Sequence, residues 1–226
     1  MRIAVASLFV LISASADASL VYQQDARVLW AAFRLCSLNH GCESRREVLV
    51  EPVPFASFND SVSPLESESI ALSQSSELGA DSMSFLGSQQ TNQRDCAERG
   101  CSVERGTSHF DVTFGVTVDT AFDLAGIVGA LDNGAPMTIA EVTRVAANGS
   151  PVEVLGVADS LGFALSGIFR AGESYRIVSS IQANTGVSLM PSNSIAWTLT
   201  TSQIHAPEPS TAILLAIGLA LLRRRY

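Results

Sequence analysis

The most regular hydrophobic pattern runs from His109 to Val118, where Phe110, Val112, Phe114, Val116 and Val118 alternate with polar or small residues. A period of two over this length predicts a half-buried strand. Segments 121–131, 137–145, 152–157 and 162–169 continue the series, with the turn signals Asn133-Gly134 and Asn148-Gly149 between them. Tyr175-Arg176-Ile177-Val178 opens a further strand, Asn184-Thr185-Gly186 turns it, and Ile195-Ala196-Trp197-Thr198-Leu199 is the last. Short strands at steady spacing predict an all-β fold, an antiparallel β-sandwich or jelly-roll-like body, clearest over 107–202. Phe169-Arg170-Ala171-Gly172-Glu173-Ser174-Tyr175 resembles a tyrosine corner, in which a phenol closes back on upstream backbone.

Upstream the pattern is fainter. Residues 26–35 are apolar without a decisive period and fit a strand or a short helix. Glu47-Val48-Leu49-Val50-Glu51, followed by Pro52 and Pro54, reads as an edge strand or a turn. Residues 56–109 are rich in Ser, Gln, Glu and Asn, yet Ile70, Leu72, Leu78, Met83, Phe85 and Leu86 recur through them. That spacing favours strands with polar outer faces and long loops over a disordered linker.

The two ends are of another kind. Arg2 precedes about ten apolar residues, Ile3 to Ile12, and small residues follow. This is the arrangement of a secretory signal peptide over 1–18, with a cut after Ala16 or Ala18. Residues 19–205 are then the body and 206–226 a separate tail. The tail reads Pro207-Glu208-Pro209-Ser210-Thr211, then the apolar run of Ala212, Ile213, Leu214, Leu215, Ala216, Ile217, Gly218, Leu219, Ala220, Leu221 and Leu222, then Arg223, Arg224, Arg225 and Tyr226. The prolines block helix entry from upstream, Ser210 and Thr211 can cap the first turn, and Glu208 suits the positive end of the helix dipole. The apolar run predicts a membrane anchor, and the three Arg hold its end at the cytoplasmic face. With Ser210 and Thr211 the helix has 13 residues, roughly 20 Å against a hydrocarbon core of about 30 Å. So short an anchor is a temporary one.

In order and position the tail resembles the PEP-CTERM sorting signal of Gram-negative bacteria. The resemblance implies recognition of Pro207, Glu208 and Pro209 by an exosortase, a membrane-embedded cysteine protease or transpeptidase. It implies transient anchoring through 212–222, stop-transfer by Arg223, Arg224 and Arg225, and delivery from the inner membrane to the cell surface or extracellular matrix, with exopolysaccharide as a further partner. Pro54-Phe55-Ala56-Ser57-Phe58 and Phe110-Asp111-Val112-Thr113-Phe114 also resemble a recurrent body type of that family. No enzymatic activity is implied; the chain would be substrate.

Composition narrows the alternatives. All 14 basic residues are Arg, so a lysine Schiff base or a P-loop lysine is excluded. Residues 19–209 carry 10 Arg against 21 Asp and Glu, a net charge near −11, which argues against a nucleic-acid binder. Cys36, Cys42, Cys96 and Cys101 allow three disulfide pairings. The short-loop pairing, Cys36 with Cys42 and Cys96 with Cys101, is favoured because each pair encloses a polar loop containing Gly41 or Gly100. Their spacing does not suit zinc, and His40, His109 and His205 are scattered; no metal, cofactor or catalytic residue is expected. Trp30 and Trp197 fit a sugar-stacking platform, although Trp197, in an alternating strand, reads as core. A carbohydrate-binding or adhesive module, a secreted glycan-active hydrolase on a jelly roll, and a periplasmic protein that keeps its inner-membrane anchor are the competing readings.

Overall fold

The computed structural model describes residues 19–37, 41–42, 46–62, 70–91, 101–129, 137–158, 162–184 and 193–204. The signal-peptide segment and the tail lie outside them. Every regular element among the described residues is a strand: β1 (Leu20–Asp25), β2 (Val28–Ser37), β3 (Gly41–Cys42), β4 (Arg46–Val50), β5 (Phe58–Val62), β6 (Ile70–Leu78), β7 (Ser82–Thr91), β8 (Cys101–Val116), β9 (Thr120–Gly129), β10 (Met137–Val145), β11 (Pro151–Ala158), β12 (Gly162–Phe169), β13 (Ser174–Asn184) and β14 (Asn193–Gln203). They form two antiparallel sheets packed face to face. The first runs β11-β10-β13-β8-β2-β3, with β1 also on β8 and β4 on β2; the second runs β12-β9-β14-β7-β6-β5.

The predicted alternation is what builds the core. Phe110, Val112, Phe114 and Val116 of β8 are all buried, while His109 and Asp111 face outward between them. Val118 lies past the end of β8, in the turn to β9. The opposing sheet supplies Phe85, Leu124, Ile195, Trp197 and Leu199. Trp197 is core, as its strand pattern predicts: its ring meets Phe110 edge-on at 4.9 Å. Residues 26–35, undecided by sequence, fall in strand β2 from Val28 on, and 46–50 form an edge strand. A smaller cluster of Leu29, Ala31, Phe58, Val62 and Leu72 fills the side where β5 and β6 approach β2.

The expected tyrosine corner is present. The Tyr175 hydroxyl accepts a hydrogen bond from the Arg170 amide at 2.6 Å and donates one to Glu173 at 2.8 Å. Gly172, at φ 80°, makes the reversal between them. Burial pushes the Tyr175 hydroxyl up to about 12; the Arg170 amide works against this and the Glu173 carboxylate adds to it. Burial also raises Tyr22, whose hydroxyl donates to the Gly79 carbonyl at 2.6 Å. A raised pKa means that the fold holds the proton more tightly than the unfolded chain does. The stabilisation is therefore complete below the ordinary tyrosine value of about 10 and is lost as pH rises towards 12. Thermal melts between pH 9 and 12 should show a falling midpoint. Tyr175→Phe should cost about 1 kcal/mol at neutral pH and flatten that alkaline slope.

Candidate functional site

The predicted sorting residues Pro207, Glu208, Pro209, the anchor from Ala212 to Leu222, and Arg223, Arg224 and Arg225 lie outside the described residues. The described chain runs along β14 and on to Ile204. Strand β14 is held on both sides, by β7 and by β9, and its ladder with β9 runs to Gln203 opposite Thr120. Thr201 is fixed further by two bonds to the Asp81 carbonyl, from its amide at 2.9 Å and its hydroxyl at 2.8 Å. The Ile204 amide then donates to the Asp119 carbonyl at 3.3 Å.

The start of the body arrives at the same place. The Ser19 amide donates to the Thr117 hydroxyl, and the Thr117 amide to the Ser19 carbonyl, each at 3.3 Å. Both ends of the body thus flank one tight turn, 117–119, between β8 and β9. Pro207 is three residues beyond Ile204, so it lies within about 11 Å of it even on a fully extended chain.

The side chains at this end are charged and fixed. Asp119 accepts from the Ala171 amide at 2.9 Å and from Arg170 Nη1 at 2.6 Å. These two bonds, the amide first, hold its carboxyl below the usual carboxylate range. Asp119 and Arg170 remain 43 % and 59 % exposed, so the pair is presented to solvent rather than buried. Behind it, Glu173 accepts from Tyr175 and from Arg144 Nη1, and Arg144 also reaches Glu153 at 3.1 Å. Sequence reasoning missed Asp119 and Arg170. The tyrosine-corner motif pointed at the neighbourhood, but nothing local announces a contact 51 residues apart.

The other sequence candidates are dispersed. The register sets Cys36 directly opposite Cys42 on β2 and β3, and Cys101 opposite Leu35; Cys96 lies outside the described residues. Trp30 and Trp197 do not share a platform. Trp197 is buried between the sheets, and partly exposed Trp30 lies on β2 opposite Leu49 and Thr107. His109 sits 3.7 Å from Asp111, which Arg176 clamps through Nε and Nη2. Burial pushes the Asp111 carboxyl up, but the Arg176 and His109 bonds outweigh it and bring it down to about 2. His40 and His205 are outside the described residues. Among the described residues no group of His, Cys, Asp and Glu is arranged to hold a metal. No helix among them is long and apolar enough to cross a membrane. An open hollow of about 490 Å³ lies against β14 and its neighbours, where Leu86 and Ile127 flank Ala196. It contains no titratable side chain.

Comparison with models of known protein families and with curated proteins finds no match to this chain.

Proposed function

We propose that this chain is an exported surface or extracellular-matrix protein, sorted by an exosortase-type protease through Pro207-Glu208-Pro209. Residues 1–18 would direct export as a signal helix. The short apolar helix 212–222 would hold the body transiently at the inner membrane, and Arg223–225 would stop transfer. The body would be cargo and the chain a substrate rather than an enzyme. The observation that carries this reading is the order of the tail itself: a Pro-Glu-Pro motif, an apolar segment too short for a durable anchor, and a terminal Arg cluster. One feature of the fold supports it: β14 is held by two neighbours up to the last described residues, and residues 205–211 lie between Ile204 and the apolar segment. The finer description of the body as jelly-roll-like is supported by its connections. From β8 to β14, five of the six connections pass from one sheet to the other.

The test is mass spectrometry of the protein from washed cells and medium of its native host. The expected result is a chain lacking the peptide beyond Pro209, with a trimmed or modified new C-terminus. A chain intact to Tyr226 that pellets with the inner membrane would make the tail an ordinary anchor. The same digests, run without reduction, report the cysteines. We expect Cys36–Cys42 and Cys96–Cys101 crosslinks, the first supported by the register of β2 and β3.

A carbohydrate-binding role is the second reading. What favours it is partly exposed Trp30 on the sheet that also carries the clamped Asp111–Arg176 pair. Its partner would be exopolysaccharide.

A further inference from the structure

We infer that the end of the sandwich formed by turns 79–81, 117–119 and 170–173 is a docking surface for the protease that processes the tail. This inference rests on the sorting reading above and adds a partner-contacting surface to it.

The argument begins with reach. The backbone remains hydrogen-bonded as far as Ile204, and Pro207 follows three residues later. A span of about 11 Å at full extension is shorter than the radius of gyration of a domain of this size, about 16–17 Å. An enzyme that encloses Pro207-Glu208-Pro209 in its active site therefore meets the body. The surface it meets is the one from which β14 emerges, and that surface is rigid. Thr201 is pinned to Asp81, Asp119 to the Ala171 amide, and Arg170 through its own amide to Tyr175. Its charges at the surface include Arg170 and Asp119, 59 % and 43 % exposed, and exposed Asp81. The membrane is close as well: eight residue steps separate Ile204 from Ala212, at most about 29 Å. The occupant is thus a membrane-embedded enzyme whose extracytoplasmic face sits at this height and carries groups that match an Arg–Asp pair.

Docking and motif recognition are then two attachments joined by a very short tether. Lengthening that tether lowers the effective concentration of one for the other, by roughly the −3/2 power of its length. Inserting 12 Gly and Ser residues after Ile204 extends the tether about fivefold and is expected to slow tail removal about tenfold.

The experiment follows tail removal from the full-length chain in host membranes, by intact mass over time. Four forms are compared: wild type, the 12-residue insertion, Arg170→Glu, and the two combined. Arg170→Glu is expected to slow removal at least about fivefold. In the lengthened chain it should add nothing, because docking no longer governs capture. The insertion leaves the body untouched, so it reads docking even if Arg170→Glu perturbs the turn. Removal at the wild-type rate in both single variants overturns the docking surface and leaves the sorting reading standing. A wild-type chain that keeps its tail overturns both.

Discussion

Arg27→Ala is expected to destabilise the protein by about 3–5 kcal/mol, the usual cost of stripping one partner from a buried ion pair. Strands β1 and β2 lie end to end along the single long strand β8, and the chain breaks between them at Ala26 and Arg27. There the Arg27 side chain turns into the interior, and both it and Asp25 are essentially inaccessible. Its Nε and Nη2 donate to the two Asp25 oxygens at 2.8 and 2.6 Å, Nη1 to the Ser76 hydroxyl at 2.9 Å and Nη2 to the Ala56 carbonyl at 2.7 Å. One guanidinium thereby joins β1, β6 and the 51–57 connection. Asp25 in turn accepts from the Phe55 amide at 2.7 Å. That bond helps hold Phe55 at φ 62°, a left-handed conformation that costs a bulky residue strain. Burial pushes the Asp25 carboxyl up, and the bonds from Arg27 and Phe55 more than reverse it. Its contribution to stability is therefore present above the ordinary carboxylate range and lost as pH falls through its lowered value. Without Arg27 the buried carboxylate favours protonation instead. Urea unfolding should show the gap between variant and wild type narrowing towards pH 4. Asp25→Asn added to Arg27→Ala should recover part of the loss at pH 7. A single-variant loss below about 1 kcal/mol would mean that water reaches the pair.

Phe169→Ala should cost a comparable amount, about 3–5 kcal/mol. Phe169 ends edge strand β12 and is completely buried. Its ring stacks on Phe122 at 4.2 Å with an 11° interplanar angle, and meets Tyr175 at 4.5 Å and Phe114 edge-on at 5.2 Å. It thus ties the second sheet to the tyrosine corner on the first. Truncation removes three ring contacts at once and leaves a cavity beneath the corner. Phe169→Leu keeps most of the volume and should lose less than half as much. Denaturant midpoints for the two variants decide this. Equal losses would mean that ring geometry, rather than filled volume, holds this end together.

Strands β8 and β14 were legible because most of their inward residues are apolar and most of their outward ones polar; in β11 the exposed face is apolar too, with Val152, Val154 and Val157 outward, and the Asn148-Gly149 turn marks where it begins. For β12 the predicted and observed limits coincide at 162–169. Strand β2 was ambiguous for a physical reason: Leu29 and Ala31 face the interior, while Val28 and Trp30 on the other side are apolar too. Strands β6 and β7 were faint for the opposite reason, since Gln74, Ser76 and Gln89 are buried polar residues on the inward side. Nothing in the sequence marks Arg27, because its partners Ser76 and Ala56 lie 49 and 29 residues away. The reading of the tail stands on composition and order alone, since it lies outside the described residues. The meeting of Ser19 with Thr117 and of Ile204 with Asp119 was not legible, because closing two distant ends on one turn depends on sheet topology rather than on any local pattern.

The position of β14 has a mechanical consequence. A tension applied to the chain beyond Ile204 and resisted at the far end of the body acts along the axis of this strand. β14 is central in its sheet, paired to β7 from Asn193 to Thr200 and to β9 from Ser194 to Gln203. Such a load falls on both ladders in shear, so their hydrogen bonds must yield together rather than one at a time. Fastened by this strand, the body would withstand drag at its point of attachment better than if it hung from an edge strand, which peels one bond after another.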